Sequence, residues 1–171
     1  MTKQISDYVL YKRKRFNLID TQKNLIITAD FGLKETDCSS TACYRGYTAY
    51  YTIEDGFLSG VKRVNYLIDD DSFKTETKES EKKKMNYTGS ILIALPGGEL
   101  FNDDFIYACL STDEAYELYF KNGKLIREIP LDDMIRKWRE IEEKHISVDY
   151  EKFLKKHLKY KYCDYKWKTR G

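Results

Sequence analysis

Two tight-turn signals constrain this chain more than anything else in it: Asp55-Gly56 within "YTAYYTIEDGFLSGVKRV" and Asn122-Gly123 within "AYELYFKNGKLIREIP". A two-residue type I′ turn needs positive φ at both central positions. Gly, Asn and Asp accept that conformation, and the turn fixes the register of its flanking strands. Residues 47–68 and 115–130 are therefore predicted hairpins. Counting outward from Asp55-Gly56, Ile53 pairs with Leu58, Tyr51 with Gly60 and Tyr47 with Val64. Tyr51 then covers a glycine, a favourable cross-strand arrangement for an aromatic ring.

The remaining apolar runs extend the sheet. "YVLY" and "LIITADF" in residues 8–31 predict two or three strands, separated by basic and turn-forming residues. "YTGSILIAL" reads as a strand stopped by Pro96-Gly97-Gly98, and "FIYACL" as another short one. Residues 69–85, "DDDSFKTETKESEKKKM", are charged and without period, which predicts a flexible loop. After Pro130 the period changes. Leu131, Met134, Ile135, Trp138 and Ile141 follow helical spacing, with Asp132 and Asp133 near the start and acid-before-base pairs Asp132–Arg136, Asp133–Lys137 and Glu140–Lys144. A second helix is expected from about Val148 to Tyr160, followed by a basic, aromatic tail at about 160–171. The predicted class is α+β: an antiparallel, β-rich sheet of about six to nine strands with two C-terminal helices, in a single domain over 1–171.

A chain of 171 residues buries enough surface to dispense with disulfide or metal staples. Its 30 basic and 28 acidic residues leave a net charge of +2, so no global field draws it to nucleic acid or membrane. The N-terminus has no signal-like apolar core, and nowhere do about 18 apolar residues run together. A cytoplasmic location without a membrane span is expected, with the four cysteines as thiols. The Asn86-Tyr87-Thr88 sequon then carries no meaning. The fifteen tyrosines suit sheet faces and interfaces, since each joins an apolar ring to a polar tip.

The block "CSSTACYRGYTAYYTIEDG", residues 38–56, invites a chemical reading. The cysteine-phosphatase loop is excluded by spacing, because Arg45 lies seven positions after Cys38 and two after Cys43. A Cys–His nucleophile has only His145 and His157 to draw on, both in predicted helices. Cys38 and Cys43 are spaced too loosely for a zinc knuckle, and Cys109 and Cys163 are isolated, so no metal or other cofactor is expected. Strand periodicity places Arg45, Tyr47, Ala49, Tyr51 and Ile53 on one face, with Arg45 opposite Tyr66. Two readings stay open: a packed strand, or a small-ligand or thiol site formed by Cys43, Arg45, Tyr47 and Tyr66.

"STACYRGYTAYYTIEDGFL" resembles a block in a small, functionally uncharacterised bacterial protein family, in which Ser-Thr-Ala-Cys-Trp-Arg-Gly-Tyr precedes a Trp- or Tyr-rich strand and an Asp-Gly turn. Stretches similar to "YTGSILIAL" and "YELYFKNGKLIRE" follow there in the same order, so the resemblance spans roughly residues 25 to 130. Tyr44 and Tyr51 stand where tryptophan is expected. The resemblance implies a shared fold and carries no activity.

In "VDYEKFLKKHLKY", Lys152, Lys155, Lys156 and Lys159 share one stripe, while Tyr150, Phe153, Leu154, His157 and Leu158 take the opposite side. Lys161, Lys166, Lys168 and Arg170 continue the charge among Tyr160, Tyr162, Tyr165 and Trp167. Asp69-Asp70-Asp71 begins the predicted loop, Asp132-Asp133 opens a helix where negative charge suits the dipole, and Asp103-Asp104 is open to a cation-site reading although adjacent carboxylates point apart on extended chain; no phosphate-loop, EF-hand, catalytic-triad or zinc-protease signature occurs. The expected function is therefore non-enzymatic binding of another protein with an acidic surface, as in an immunity protein or small adaptor. Lys152, Lys155, Lys156, Lys159 and Trp167 are the contact residues of that reading. The alternatives are nucleic-acid binding through the basic C-terminal region and the site around Cys43 and Arg45.

Overall fold

The run "SILIA" is the most apolar in the sheet, and it becomes a central strand. The computed structural model describes residues 7–23, 31–34, 46–69, 71–72, 74–96, 109–110, 112–160 and 162. In chain order the elements are β1 (Tyr8–Tyr11), β2 (Lys14–Thr21), β3 (Thr48–Glu54), β4 (Phe57–Asp69), β5 (Lys74–Glu79), β6 (Lys83–Lys84), β7 (Gly89–Ala94), β8 (Ala115–Lys121), β9 (Lys124–Pro130), α1 (Asp132–Glu143) and α2 (Tyr150–His157). All six residues of β7 are buried between β2 and β8. Its odd positions, Ile91 and Ile93, face one core, and Leu92 and Ala94 face another. The α+β class, the size of the sheet and the two C-terminal helices all match the sequence expectation.

The strands form one sheet in the order β3-β1-β2-β7-β8-β9-β4-β5, with β6 on β4. β3 also pairs with β4, so seven strands close into a ring, and β5 and β6 branch from it. β1 and β3 are parallel; the other pairings among the described strands are antiparallel. The interior is filled by side chains: Phe16, Tyr51, Ile91, Ile93, Leu118 and Phe120 have no exposed surface. Each such burial is worth roughly 1.5–3 kcal/mol. On the outer face of β7 and β8, α1 packs Met134, Ile135 and Trp138, and α2 packs Phe153 and Leu154.

Both predicted hairpins form. Asp55 and Gly56 have φ of 52° and 79°, and Asn122 and Gly123 have 49° and 80°. The β3–β4 register is the one counted from sequence, with Ile53 opposite Leu58 and Tyr51 opposite Gly60. The two turns also close the ring against each other. Leu58 N–H donates to the Gly123 carbonyl at 2.8 Å, and Leu125 N–H donates to the Gly56 carbonyl at 2.7 Å.

Two expectations are corrected. Residues 69–85 are not a free loop: β5 pairs with the far half of β4, and β6 pairs at Ser59 and Gly60. Every side chain of β5 is exposed, so no apolar pattern reported it; a charged edge strand also resists pairing with other chains. α2 stops at His157 rather than Tyr160, because the chain there turns its amides toward Glu117. Lys12-Arg13 makes a third two-residue turn, with φ of 49° and 61° and no glycine or asparagine. That strain, about 1–2 kcal/mol per residue, is recovered in part by the Lys12–Glu128 ion pair at 2.6 Å and by Lys12 over the Tyr116 ring at 4.6 Å. "LIITADF" lies outside the described residues except for Phe31. Of "FIYACL", only Cys109 and Leu110 are described, and they sit in a turn.

One opening of the ring carries a closed polar network. Tyr11 donates to Glu128, and Tyr116 donates to Glu114 at 2.7 Å, while Lys14 pairs with Glu114 at 2.5 Å. Burial, then the adjacent carboxylates, raise the pKa of Tyr11 and Tyr116.

A Cβ at Gly123 would run into the Met85 carbonyl oxygen, whereas one at Gly56 would meet open space. Gly56→Ala is expected to cost about 1 kcal/mol from the positive φ alone, and Gly123→Ala about 3 kcal/mol because the clash adds to it. Urea unfolding measures both, and equal losses would contradict the close approach of Met85 to Gly123. The raised tyrosines set an alkaline limit. Below a free tyrosine's pKa of about 10 both states hold the protons; above it only the unfolded chain releases them, so stability falls as pH rises. Tyrosinate absorbance should therefore appear in two stages, the second coinciding with loss of circular dichroism. A single stage with the fold intact would refute this.

Candidate functional site

Cys43 and Arg45 lie outside the described residues, so the reading built on them keeps only its two tyrosines. Tyr47 and Tyr66 are both half-buried and are brought to one end of the ring by β3 and β4. Between them lies a residue that the sequence reading overlooked. Lys62 sits opposite Ala49 on the inward face and is 1% exposed. Its Nζ donates to the Leu33 carbonyl at 2.6 Å and stands 5.1 Å from the Tyr47 ring centre. Tyr66 O–H donates to the Lys34 carbonyl at 2.8 Å. A buried ammonium needs such acceptors, and here they tie residues 31–34 to the barrel end. The alternation Leu58, Gly60, Lys62, Val64 was the signal that could have found it.

The lysine stripe of α2 is described in full, and Trp167 falls outside the described residues. Lys152, Lys155, Lys156 and Lys159 are all exposed, while Phe153, Leu154 and Leu158 are buried against the sheet and α1. Trp138 of α1 meets Phe153 at 5.1 Å between ring centres, and His157 lies 4.1 Å beyond Phe153 with its Nδ1 at 2.8 Å from the Phe153 carbonyl. This aromatic column sets the spacing of the helices. Along it runs an open groove of about 590 Å³. Lys152 and Lys156 line it from α2, and Lys137 and Lys144 line it from α1; Lys155 and Lys159 stand beyond it. From sequence, Lys137 and Lys144 were read only as partners of Asp133 and Glu140, since periodicity within one helix says nothing of its neighbour. On α1, Asp133 pairs with Lys137 at 2.7 Å as expected, and Arg136 is held by Asp133 and, at 2.9 Å, by Glu140.

What holds α2 in place is a buried carboxylate. Glu117 in β8 has no exposed surface. Lys159 N–H donates to its Oε2 at 3.0 Å, and Tyr160 N–H and Tyr162 O–H donate to its Oε1 at 3.1 and 2.8 Å. Tyr160 also stacks on Tyr119 of the same strand at 5.1 Å between ring centres. Burial, then the nearby Glu117 charge, raise the Tyr162 hydroxyl pKa, so it stays a donor to that carboxylate. Cys109, buried in the same layer, has its thiol pushed up by burial, Glu117 and Asp20, which makes it a poor nucleophile. Glu117 shares a face with Ala115 and Tyr119 in a strand whose other face is Tyr116, Leu118 and Phe120. Apolar residues on both faces were the sequence sign of a buried acid.

Among the described residues, no group of three His, Cys, Asp or Glu side chains is placed to hold a metal ion. Nor, among them, is any helix long and apolar enough to cross a membrane. Searches of protein families, curated proteins and solved structures returned no match to this chain.

Glu117→Ala strands two amides and a phenol in a dry layer and is expected to cost about 3 kcal/mol; Glu117→Gln, which keeps an acceptor, is expected to cost roughly half of that. Chemical denaturation reads the difference. A loss below about 1 kcal/mol for the alanine variant would show that the carboxylate does not hold the segment.

Proposed function

We propose that this chain is a non-enzymatic binding protein that acts in the cytoplasm and takes an acidic surface of another protein on the lysine face of α2. An immunity protein or small adaptor is the finer form of that reading. One observation carries it: the apolar side of α2 is consumed by the core, while four lysines remain crowded on the exposed side. Lys152 and Lys156 are like-charge neighbours one turn apart, which costs the helix a few tenths of a kcal/mol, roughly, and Lys159 follows Lys155 just past its end. An electropositive surface of this kind speeds encounter with an acidic partner and penalises a basic one. The Lys152 side chain is 84% exposed.

The test is affinity capture from a lysate of the source organism, followed by reconstitution with the purified partner. The wild-type chain should retain a protein with an acidic surface. The variant with Lys152, Lys155, Lys156 and Lys159 all changed to Glu should bind it at least about tenfold more weakly. Equal retention by the reversed variant contradicts the reading. So does finding that the chain instead holds single-stranded oligonucleotide with a steep salt dependence, which is the signature of the nucleic-acid alternative.

A further inference from the structure

The exposed lysines are not the whole of this face. Ile146 and Val148, in the connection between α1 and α2, are 51% and 40% exposed, far more than aliphatic side chains of a docked helix pair need be. They are also not scattered. Together with Ile141 and Phe153 they floor the groove of about 590 Å³ between the helices. The Ile146 N–H is bonded to the Ile141 carbonyl at 3.1 Å, so the floor is fixed to the end of α1. Lys137 and Lys144 stand on one wall and Lys152 and Lys156 on the other. Two acids, Glu140 and Asp149, also line it, and each has a basic partner: Glu140 faces Arg136 at 2.9 Å, and Asp149 lies 4.0 Å from Lys152. An apolar trough between two basic walls is thus open along its length.

We infer that this groove is the seat of a short amphipathic, acidic segment of the partner protein, whose apolar side chains enter between α1 and α2 while its carboxylates meet the lysine walls. The inference rests on the binding reading above and specifies which part of the partner is bound. The charge pattern selects the occupant. A nucleic-acid backbone would satisfy the lysines but leave Ile146 and Val148 covered by phosphate and sugar, and a membrane surface is too flat to enter a concave trough. An acidic helix or turn with apolar residues at i, i+3 and i+4 answers both features at once. α2 is eight residues long, about 12 Å, so the trough admits two or three such anchors.

The probe is a fluorescein-labelled synthetic peptide of about four helical turns, with Leu at i, i+3, i+4 and i+7 and Glu at the flanking positions, titrated by fluorescence anisotropy. The wild-type chain should bind it, and a scrambled peptide of the same composition should bind at least about tenfold more weakly. Ile146→Ser with Val148→Ser should cost about tenfold or more, as should Lys137→Glu with Lys144→Glu. Lys121→Glu with Lys124→Glu, exposed in the β8–β9 hairpin and outside the groove lining, should change affinity by less than about threefold. All substituted side chains are at least partly exposed, and circular dichroism checks that each variant folds. If the floor variant binds normally, the groove is overturned while a general acidic partner on α2 survives; equal weakening by Lys121→Glu with Lys124→Glu overturns it in favour of overall charge. Preference for an oligo-dT strand or for phosphatidylserine vesicles over the peptide overturns it in favour of those ligands. Absence of peptide binding to the wild-type chain at about 1 mM overturns it outright.

Discussion

A buried carboxylate decides where the C-terminal third of this protein lies. Glu117 sits in the middle of an apolar strand with no surface exposed, a position that would be severely costly for an unpartnered charge. It is answered by two backbone amides and a phenol from the segment that follows α2. Those three donors need the acid as much as it needs them, since Lys159 and Tyr160 have just left a helix and their amides have no i−4 partner within it. α2 therefore ends where it does, and its axis is set by a point inside the sheet rather than by its own short length. An eight-residue helix is too short to persist alone, so its lysine face exists only because the anchor and the Phe153–Trp138 contact hold it.

The barrel beneath owes its closure to a contact that no single stretch of sequence describes. Each hairpin was legible from its own turn residues and from alternation, and the β3–β4 register followed by counting. That the two turns then bond to one another, through the Gly56 and Gly123 carbonyls, depends on the shear of the whole ring. β5 was illegible for a different reason. Its residues contribute backbone bonds and nothing to the core, so a reading based on apolar period sees only charge. The Lys12-Arg13 turn was hidden because its conformation is maintained by Glu128 and Tyr116, more than a hundred residues away.

The candidate site divides along the same line. Lys152, Lys155 and Lys156 of α2, with Lys159 just beyond it, were visible as a stripe because one run of helical spacing contains them. The opposing lysines, Lys137 and Lys144, and the exposed pair Ile146 and Val148 belong to another helix and a connection, and only the packing angle brings them to the stripe. Lys62 and Glu117 are ordinary charged residues in sequence; Lys62 is buried because it takes an inward position of β4, and Glu117 because β8 is apolar on both faces. The tyrosine-rich strand that follows Gly46 proves to be barrel wall, with Tyr51 fully enclosed opposite Gly60.

The account stands most directly on the Glu117 anchor, and residue-resolved amide hydrogen exchange on the unmodified protein tests it. Lys159 and Tyr160 lie beyond the last turn of α2, where amides ordinarily exchange almost as fast as in an unfolded chain. Bonded to Glu117, they should instead exchange as slowly as the amides of Ile91 and Leu92 in the central strand. Rapid exchange at Lys159 and Tyr160, with β7 still protected, would mean that the segment is not held by the carboxylate and that the helix pair has no fixed groove to offer.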